Sequence, residues 1–591
     1  MSQRTGSLKT SPKPPTRRVG LMSEFGRFAP NRVFFAMLAG MLSGGLYALA
    51  IPLILDAINP PSGGLSYLDG NVGYFLGFKI NQGPLAAFFA LFCLVILITR
   101  AASAILAARI SLELSSNLRQ RLCKGIVQSS YPRLEEIGQA RLMVAVTDDV
   151  RRIIGGAEAV PQLMINTVML ISLLGFLWYI NAHVFIFVLE AVVFGVLTFH
   201  VPMLFATNYF RRARDLYDTL QKGVNGLILG VKELQLDQQK RNEYFDKILS
   251  PCERELLKVE KRAISTISAA NSYGDLLFFM VIGVIAFIFV NYHQVSATDL
   301  TAVVMVLLYI TAPIALIINS LPKISMAIVS LRKVKSTLGE LPERIDVERP
   351  TCHRAWDTIN FVGASYRHSG GKTQDGFFVG PLDFTIRKGE ITFIVGGNGS
   401  GKSTLCKMLS LHYPPSAGDV RFDGKIVDTE CIEDYRQNIA TVFSDYFLFD
   451  RLLGPINDEK LVLARHYLQA LAIDHKVQIE GGIFSTTDLS DGQRKRLALV
   501  VAFIDDKELY LLDEWAADQD PEFKRVFYMN ILPELRARGK AVVVVSHDDR
   551  YFHIADQILI MEDGKIVERR YSDGAPVERL MVAVATATVS E

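Results

Sequence analysis

Six runs of about 20 apolar residues fill the first part of the chain, roughly at 33–55, 85–108, 159–180, 182–205, 272–291 and 299–321. Each is long enough to cross a bilayer as a helix, which satisfies its own backbone polar groups. One such run alone would read as a buried core helix; six in series read as membrane spans. The stretches after the second and fourth runs are long, roughly 50 and 65 residues, and polar overall. They still carry helical periodicity, as in Ile110, Leu112, Leu114, Leu118 and Leu122. The spans are therefore expected to continue into the aqueous phase and return. Beyond residue 355 the pattern changes to short apolar runs, Ile391–Val395, Leu509–Leu512 and Ala541–Val545, separated by helix-like stretches. Such runs predict buried strands of an α/β domain. The expected fold class is an α-helical transmembrane domain of six spans plus an α/β domain. The expected divisions are a tail at 1–32, the transmembrane domain at 33–335, a linker at 336–355 and the α/β domain at 356–591.

Charge orients this plan. The tail carries Arg4, Lys9, Lys13, Arg17, Arg18, Arg27 and Arg32, whereas the loop after the first span has only Lys79. The stretches after spans two and four are basic, with Arg109, Arg119, Arg121 and Lys124 in one and Arg211, Arg212, Arg214 and Lys232 in the other. Segment 292–298 has no Lys or Arg, and Lys323, Arg332, Lys333 and Lys335 follow span six. By the positive-inside rule both termini are expected in the cytoplasm. The tail lacks the apolar core of a cleaved signal and is too short to hold another domain. Hydrophobic residues make up 50% and charged residues 21%, which excludes disorder and coiled coil. A net charge of +2 gives no basic field for nucleic acid. The 6 cysteines are widely spaced with no CxxC, which argues against a disulfide scaffold or a zinc site and for a reducing compartment.

The chemistry lies in the last third. Gly396-Gly397-Asn398-Gly399-Ser400-Gly401-Lys402-Ser403 matches G-x-x-x-x-G-K-[ST] in full. It follows a strand-like run and opens a helix-like one, beginning at Thr404. Backbone N–H groups of such a loop, with the helix N-terminus behind them, surround phosphate oxygens. Lys402 is expected on the β- and γ-phosphates of ATP, and Ser403 on Mg²⁺. Leu509–Leu512 ends in Asp513-Glu514, which places Asp513 to hold Mg²⁺ and Glu514 to polarise the attacking water. Ala541–Val545 ends in Ser546-His547, and His547 is expected to hydrogen-bond the γ-phosphate.

Leu489-Ser490-Asp491-Gly492-Gln493 lies between these elements. With it the chain resembles the ATP-binding cassette (ABC) transporter family, whose signature is LSxGQ, and specifically an exporter half-transporter. The resemblance implies a homodimer with cassettes meeting head to tail, so that Ser490, Gly492 and Gln493 of one copy reach the ATP held by the other. It also implies a D-loop aspartate at Asp520 and an adenine-stacking aromatic ring at Tyr366. Two departures stand out. Ser444 occupies the position where the family has a glutamine that reaches the metal, so Asp445 substitutes or coupling uses another geometry; Asp491 replaces a small residue in the signature. Phe443-Ser444-Asp445, Asp513 through Pro521, Arg133 through Gly138 and Thr147 through Val150 look like the cyclic peptide and siderophore exporter subfamily, which includes the pyoverdine and syringomycin exporters.

The resulting expectation is a multi-pass exporter of the bacterial inner membrane. ATP hydrolysis would drive a cyclic peptide, siderophore or similar amphipathic cargo out of the cell. A lipid or multidrug flippase of the same fold, a siderophore importer of exporter shape and a membrane-tethered regulatory ATPase are the alternatives. Coupling helices are expected at 135–150 and 225–240. Among charged residues in the spans, Glu190 is the preferred cargo-facing group, ahead of His200, Asp275 and Arg100.

Overall fold

The computed structural model describes residues 26, 28–58, 73–75, 78–80, 83–289, 297–341, 356–368, 376–428, 431–572 and 578–579. Most of the expected tail and linker lies outside the described residues. The chain forms two compact units, one of residues 1–125 with 140–340 and one of 126–139 with 341–591.

The first unit is helical: α1 (Pro30–Ile58), α2 (Gly83–Gln128), α3 (Gln139–Ile180), α4 (Ala182–Leu229), α5 (Gln238–Ile288) and α6 (Ala297–Glu340). All six are long and apolar enough to cross a membrane. Five of them extend well past the apolar runs, four of these into the stretches whose continuing periodicity indicated it. Asn181 alone joins α3 to α4. It is extended, with φ −155°, and its side chain accepts from the N–H groups of His183 and Val184, so it caps the second helix at the point where it ends the first. α3 packs on α1 and α6, and α4 pairs with α5. The α3–α6 approach is close because residue 156 is glycine: a Cβ there would lie 2.9 Å from the Lys323 carbonyl and 2.1 Å from the Ala327 Cβ. Below this crossing Ser330 donates to buried Asp149 at 2.8 Å, and Arg141 grips Glu340 with two hydrogen bonds.

The second unit is built on two sheets. Parallel strands β3 (Ile391–Gly396), β6 (Ile439–Val442), β7 (Leu509–Asp513), β8 (Ala541–Val545) and β9 (Gln557–Glu562) form the larger one. With antiparallel β10 (Lys565–Tyr571) and β11 (Glu578–Arg579) its order is β11-β10-β9-β3-β8-β7-β6. The smaller sheet is antiparallel, β2-β1-β4-β5, from β1 (Thr358–Arg367), β2 (Phe378–Arg387), β4 (Ala417–Phe422) and β5 (Lys425–Ile426). The continuous apolar strands follow from burial on both faces. Ile391, Phe393 and Val395 of β3 enter the core on one side of the sheet, and Ile394 enters the core shared with the smaller sheet.

Cys431 is disulfide-bonded, whereas Cys93, Cys123, Cys252 and Cys406 carry free thiols. Sequence spacing argued against a disulfide scaffold; it does not encode the proximity in space on which a single pairing depends.

Candidate functional site

The glycine-rich loop sits at the carboxyl end of β3, between its neighbours β8 and β9. This is where a parallel sheet opens a crevice for ligands. α7 (Lys402–Leu409) starts directly from the loop. Lys402 is 6% exposed, and its ammonium bonds the carbonyls of Gly396 and Gly397 at 3.0 and 2.9 Å. The sheet brings the predicted partners together. Asp513, at the end of β7, is 2% exposed and accepts hydrogen bonds from Ser403 and from Ser444, the latter at 3.3 Å. Among the described residues its Oδ1 is buried without a partner, as is the Ser400 hydroxyl. Burial, and then the neighbouring Glu514, push the Asp513 carboxyl up from its usual range. A buried oxygen-rich cluster with one uncommitted carboxylate oxygen fits a hard divalent cation such as Mg²⁺. Ser444 thus addresses the metal-site carboxylate, while Asp445 acts electrostatically on Lys407 and Tyr131.

Glu514 follows in the left-handed region, with φ 50°. Its carbonyl is held by Lys495 at 3.1 Å and its N–H bonds Val545 at 3.2 Å. Its carboxylate meets His547 Nε2 at 3.3 Å. A half-exposed acid beside the phosphate loop, fixed by its backbone and by a histidine, is placed to orient a water.

The signature caps helix α8 (Asp491–Ile504). The Ser490 side chain accepts from the Gln493 N–H while the Gln493 side chain reaches back to the Ser490 N–H, a reciprocal capping box. Ser490 remains exposed. The helix is locked to the segment after Glu514: Gln519 donates to the Gly492 carbonyl at 3.0 Å, and Arg496 bonds Gln519 and Asp520 at 2.9 and 2.8 Å. Asp520 also caps the Phe523 N–H, so within this chain it ties the signature helix to the next one.

Tyr366 does not offer adenine two open faces. It is 7% exposed, and one face is stacked on Tyr413 with centroids 4.4 Å apart and planes at 6°. It lies in the core between the sheets, in the stretch 364–366 of β1 that is buried throughout. His368, two residues on, meets Thr404 in the first turn of α7 at 3.2 Å and presents its edge to both tyrosines. Burial holds the His368 imidazole below its usual value. The sequence reading passed over His368; its signal was the period-2 spacing from Tyr366.

A helix outside the cassette sequence completes this face. Tyr131–Ile137 starts with Pro132 in its first turn and stops at Gly138, whose φ is 84°. It clusters with the cassette: Glu135 accepts from Tyr413 at 2.6 Å and from Lys407 of α7 at 3.3 Å. Lys407 lies over the Tyr131 ring, 4.9 Å from its centroid. Burial would raise the Glu135 carboxyl, but the Tyr413 hydrogen bond and the Lys407 charge outweigh it and hold the group below its usual range. Burial and the nearby Arg436 hold His412 at about 4, so it is neutral and packs edge-on against Tyr131 and Phe443. The expected docking stretch of 135–150 is therefore corrected to Tyr131–Ile137. Asp148 and Asp149 already belong to α3, where Asp149 is bonded to Ser330. The second expected stretch, 225–240, falls at the turn between α4 and α5, where Leu229 and Leu236 are exposed at 83% and 89%.

Two family models match the chain. Residues 33–314 match the ABC transporter transmembrane region, and residues 379–517 match the ABC transporter model of the ATP-binding part. Among curated relatives, "ATP-binding protein SyrD" of Pseudomonas syringae pv. syringae is 29% identical over 95% of this chain and 98% of its own length. An "ATP-dependent lipid A-core flippase" of Neisseria meningitidis is 26% identical over 93% of this chain and 90% of its own. One of the same description from Xanthomonas euvesicatoria pv. vesicatoria is 30% identical over 56% of this chain and 57% of its own.

Proposed function

Because this chain belongs to the ABC transporter family, with its membrane region and ATP-binding cassette fused in one polypeptide, we propose that two copies pair in the bacterial inner membrane, termini in the cytoplasm, to export a cyclic peptide or siderophore-like compound. The observation that carries the reading is a half-built site. The loop, Asp513, Glu514 and His547 converge, whereas the capped and exposed Ser490 belongs to a signature whose phosphate must come from a second copy. The Phe443-Ser444-Asp445 and Asp513 through Pro521 stretches, which resemble the cyclic peptide and siderophore exporter subfamily, support the peptide class.

In this reading Lys402 and the loop N–H groups hold the phosphates of ATP. Ser403 and Asp513 would hold Mg²⁺, which would supply charge that neutralises the phosphates. Glu514 orients a water and takes its proton as the water oxygen bonds phosphorus and the bond to ADP breaks; His547 holds Glu514 in place. Glu135 links the state of α7 to the membrane helices through Lys407 and Tyr413. Exchanging that charge tests the link. Glu135→Lys and Lys407→Glu are each expected to lower ATPase turnover severalfold, and the double exchange to recover most of it, as coupled pairs do. Additive losses in the double variant would remove the link.

The flippase relatives support a second reading, lipid A transport by the same fold. Inside-out vesicles carrying the full chain separate the two. ATP-dependent uptake of a cyclic lipopeptide without movement of labelled lipid A is the expected result; the reverse pattern rejects peptide export.

A further inference from the structure

Helices α4, α5 and α6 line an open cavity of about 320 Å³. Its walls are mostly Val, Leu, Ile and Phe side chains, but Asn271, Asp275, Thr311 and Asn319 also face it. Tyr273 donates to Thr198 at 3.0 Å on its rim and ties α4 to α5 there. Asp275 stands 13 residues before the end of α5 at Ile288. At 1.5 Å per residue that is roughly 20 Å below the outer end of the span, in the inner half of a hydrocarbon core about 30 Å thick. No Lys or Arg lines the cavity, and among the described residues Asp275 makes no ion pair. Glu190, preferred from the sequence, is exposed, as Asp275 is, but it is not part of this wall.

A carboxylate at this depth is costly unless it faces a cavity and meets a counter-charge there. We propose that this cavity is a cargo subsite for a cationic group, an ammonium or guanidinium, of an amphipathic peptide. Asp275 supplies the opposite charge, Asn271 and Asn319 supply carboxamide hydrogen bonds, and the apolar wall takes the adjoining aliphatic part of the cargo. Charge-assisted hydrogen bonds fix the geometry of the pair. The volume suits one side chain and its surroundings rather than a whole peptide. The inference rests on the peptide-export reading and names the cargo chemistry within it.

The test uses the full chain in phosphatidylcholine nanodiscs. The probes are polymyxin B, a cyclic lipopeptide rich in ammonium groups, and the same peptide with its amines acetylated. Dissociation constants are measured with binding to empty nanodiscs subtracted. For the unmodified protein the acetylated probe is expected to bind about tenfold more weakly or worse, the size of a lost hydrogen bond between charged groups. Asp275→Asn is expected to weaken polymyxin B by a similar factor and to abolish the difference between the probes; Asp275→Glu is expected to restore it. Equal affinity of the two probes for the unmodified protein overturns the subsite whether or not any variant folds, and leaves peptide export standing. An unchanged constant in Asp275→Asn overturns it as well. If neither probe binds while lipid A does, peptide export itself falls, and the subsite with it.

Discussion

Glu514→Gln is expected to bind ATP as tightly as the unmodified protein and to hydrolyse it about 10²–10⁴-fold more slowly, the usual contribution of a positioned general base. The substitution keeps the size of the side chain and its backbone setting. The left-handed φ of 50°, the Lys495 bond to its carbonyl and the His547 contact at 3.3 Å can all persist. What is lost is the carboxylate that takes the proton of the attacking water. Single-turnover hydrolysis with radiolabelled ATP, beside equilibrium binding, reads both quantities. Turnover within a fewfold of the unmodified rate would show that another group acts as base.

Gly492→Val is expected to retain nucleotide binding to the loop of its own cassette and to lower steady-state hydrolysis by about 10²–10³-fold, the cost of removing one preorganised donor from a developing charge. A Cβ at residue 492 would lie 2.9 Å from the Asp518 carbonyl and 3.7 Å from the Gln519 carboxamide. Valine must push the start of α8 away from the segment that Gln519 and Arg496 fasten to it. The capped Ser490 end would then no longer fit the phosphate of a second copy. The effect should appear in hydrolysis and in trapping of Mg-ATP, not in the first binding step. Unchanged turnover would show that this helix start faces no phosphate.

The parts of the molecule written in contiguous residues were legible in the sequence. A span is a run of about 20 apolar residues, a buried parallel strand is a run of five, and the phosphate loop and signature are local strings whose chemistry follows from their spacing. Parts that depend on distant residues were not. Tyr366 reads as an available ring until Tyr413, from beyond α7, covers one face. Glu190 ranked ahead of Asp275 in the sequence because Asp275 stands near the start of its apolar run; only the packing of α4, α5 and α6 puts Asp275 on a cavity wall. The docked helix was missed for another reason. Its start and stop signals, Pro132 and Gly138, are local and present, but the basic, amphipathic pattern drew attention to the longer stretch beyond them. Ser444 shows that a shorter side chain can still serve the site, by bonding Asp513 rather than by reaching farther.

The most direct test is complementation between two differently tagged copies. In one pairing, one copy carries Lys402→Ala and the other Gly492→Val, which places both lesions in one composite site and leaves the other intact. In the second pairing, one copy carries both changes beside an unmodified partner, which damages both sites. Mg-ATP trapped per dimer is measured after vanadate treatment. One nucleotide in the first pairing and almost none in the second is the predicted result; equal trapping in the two would contradict a site completed by the neighbouring copy.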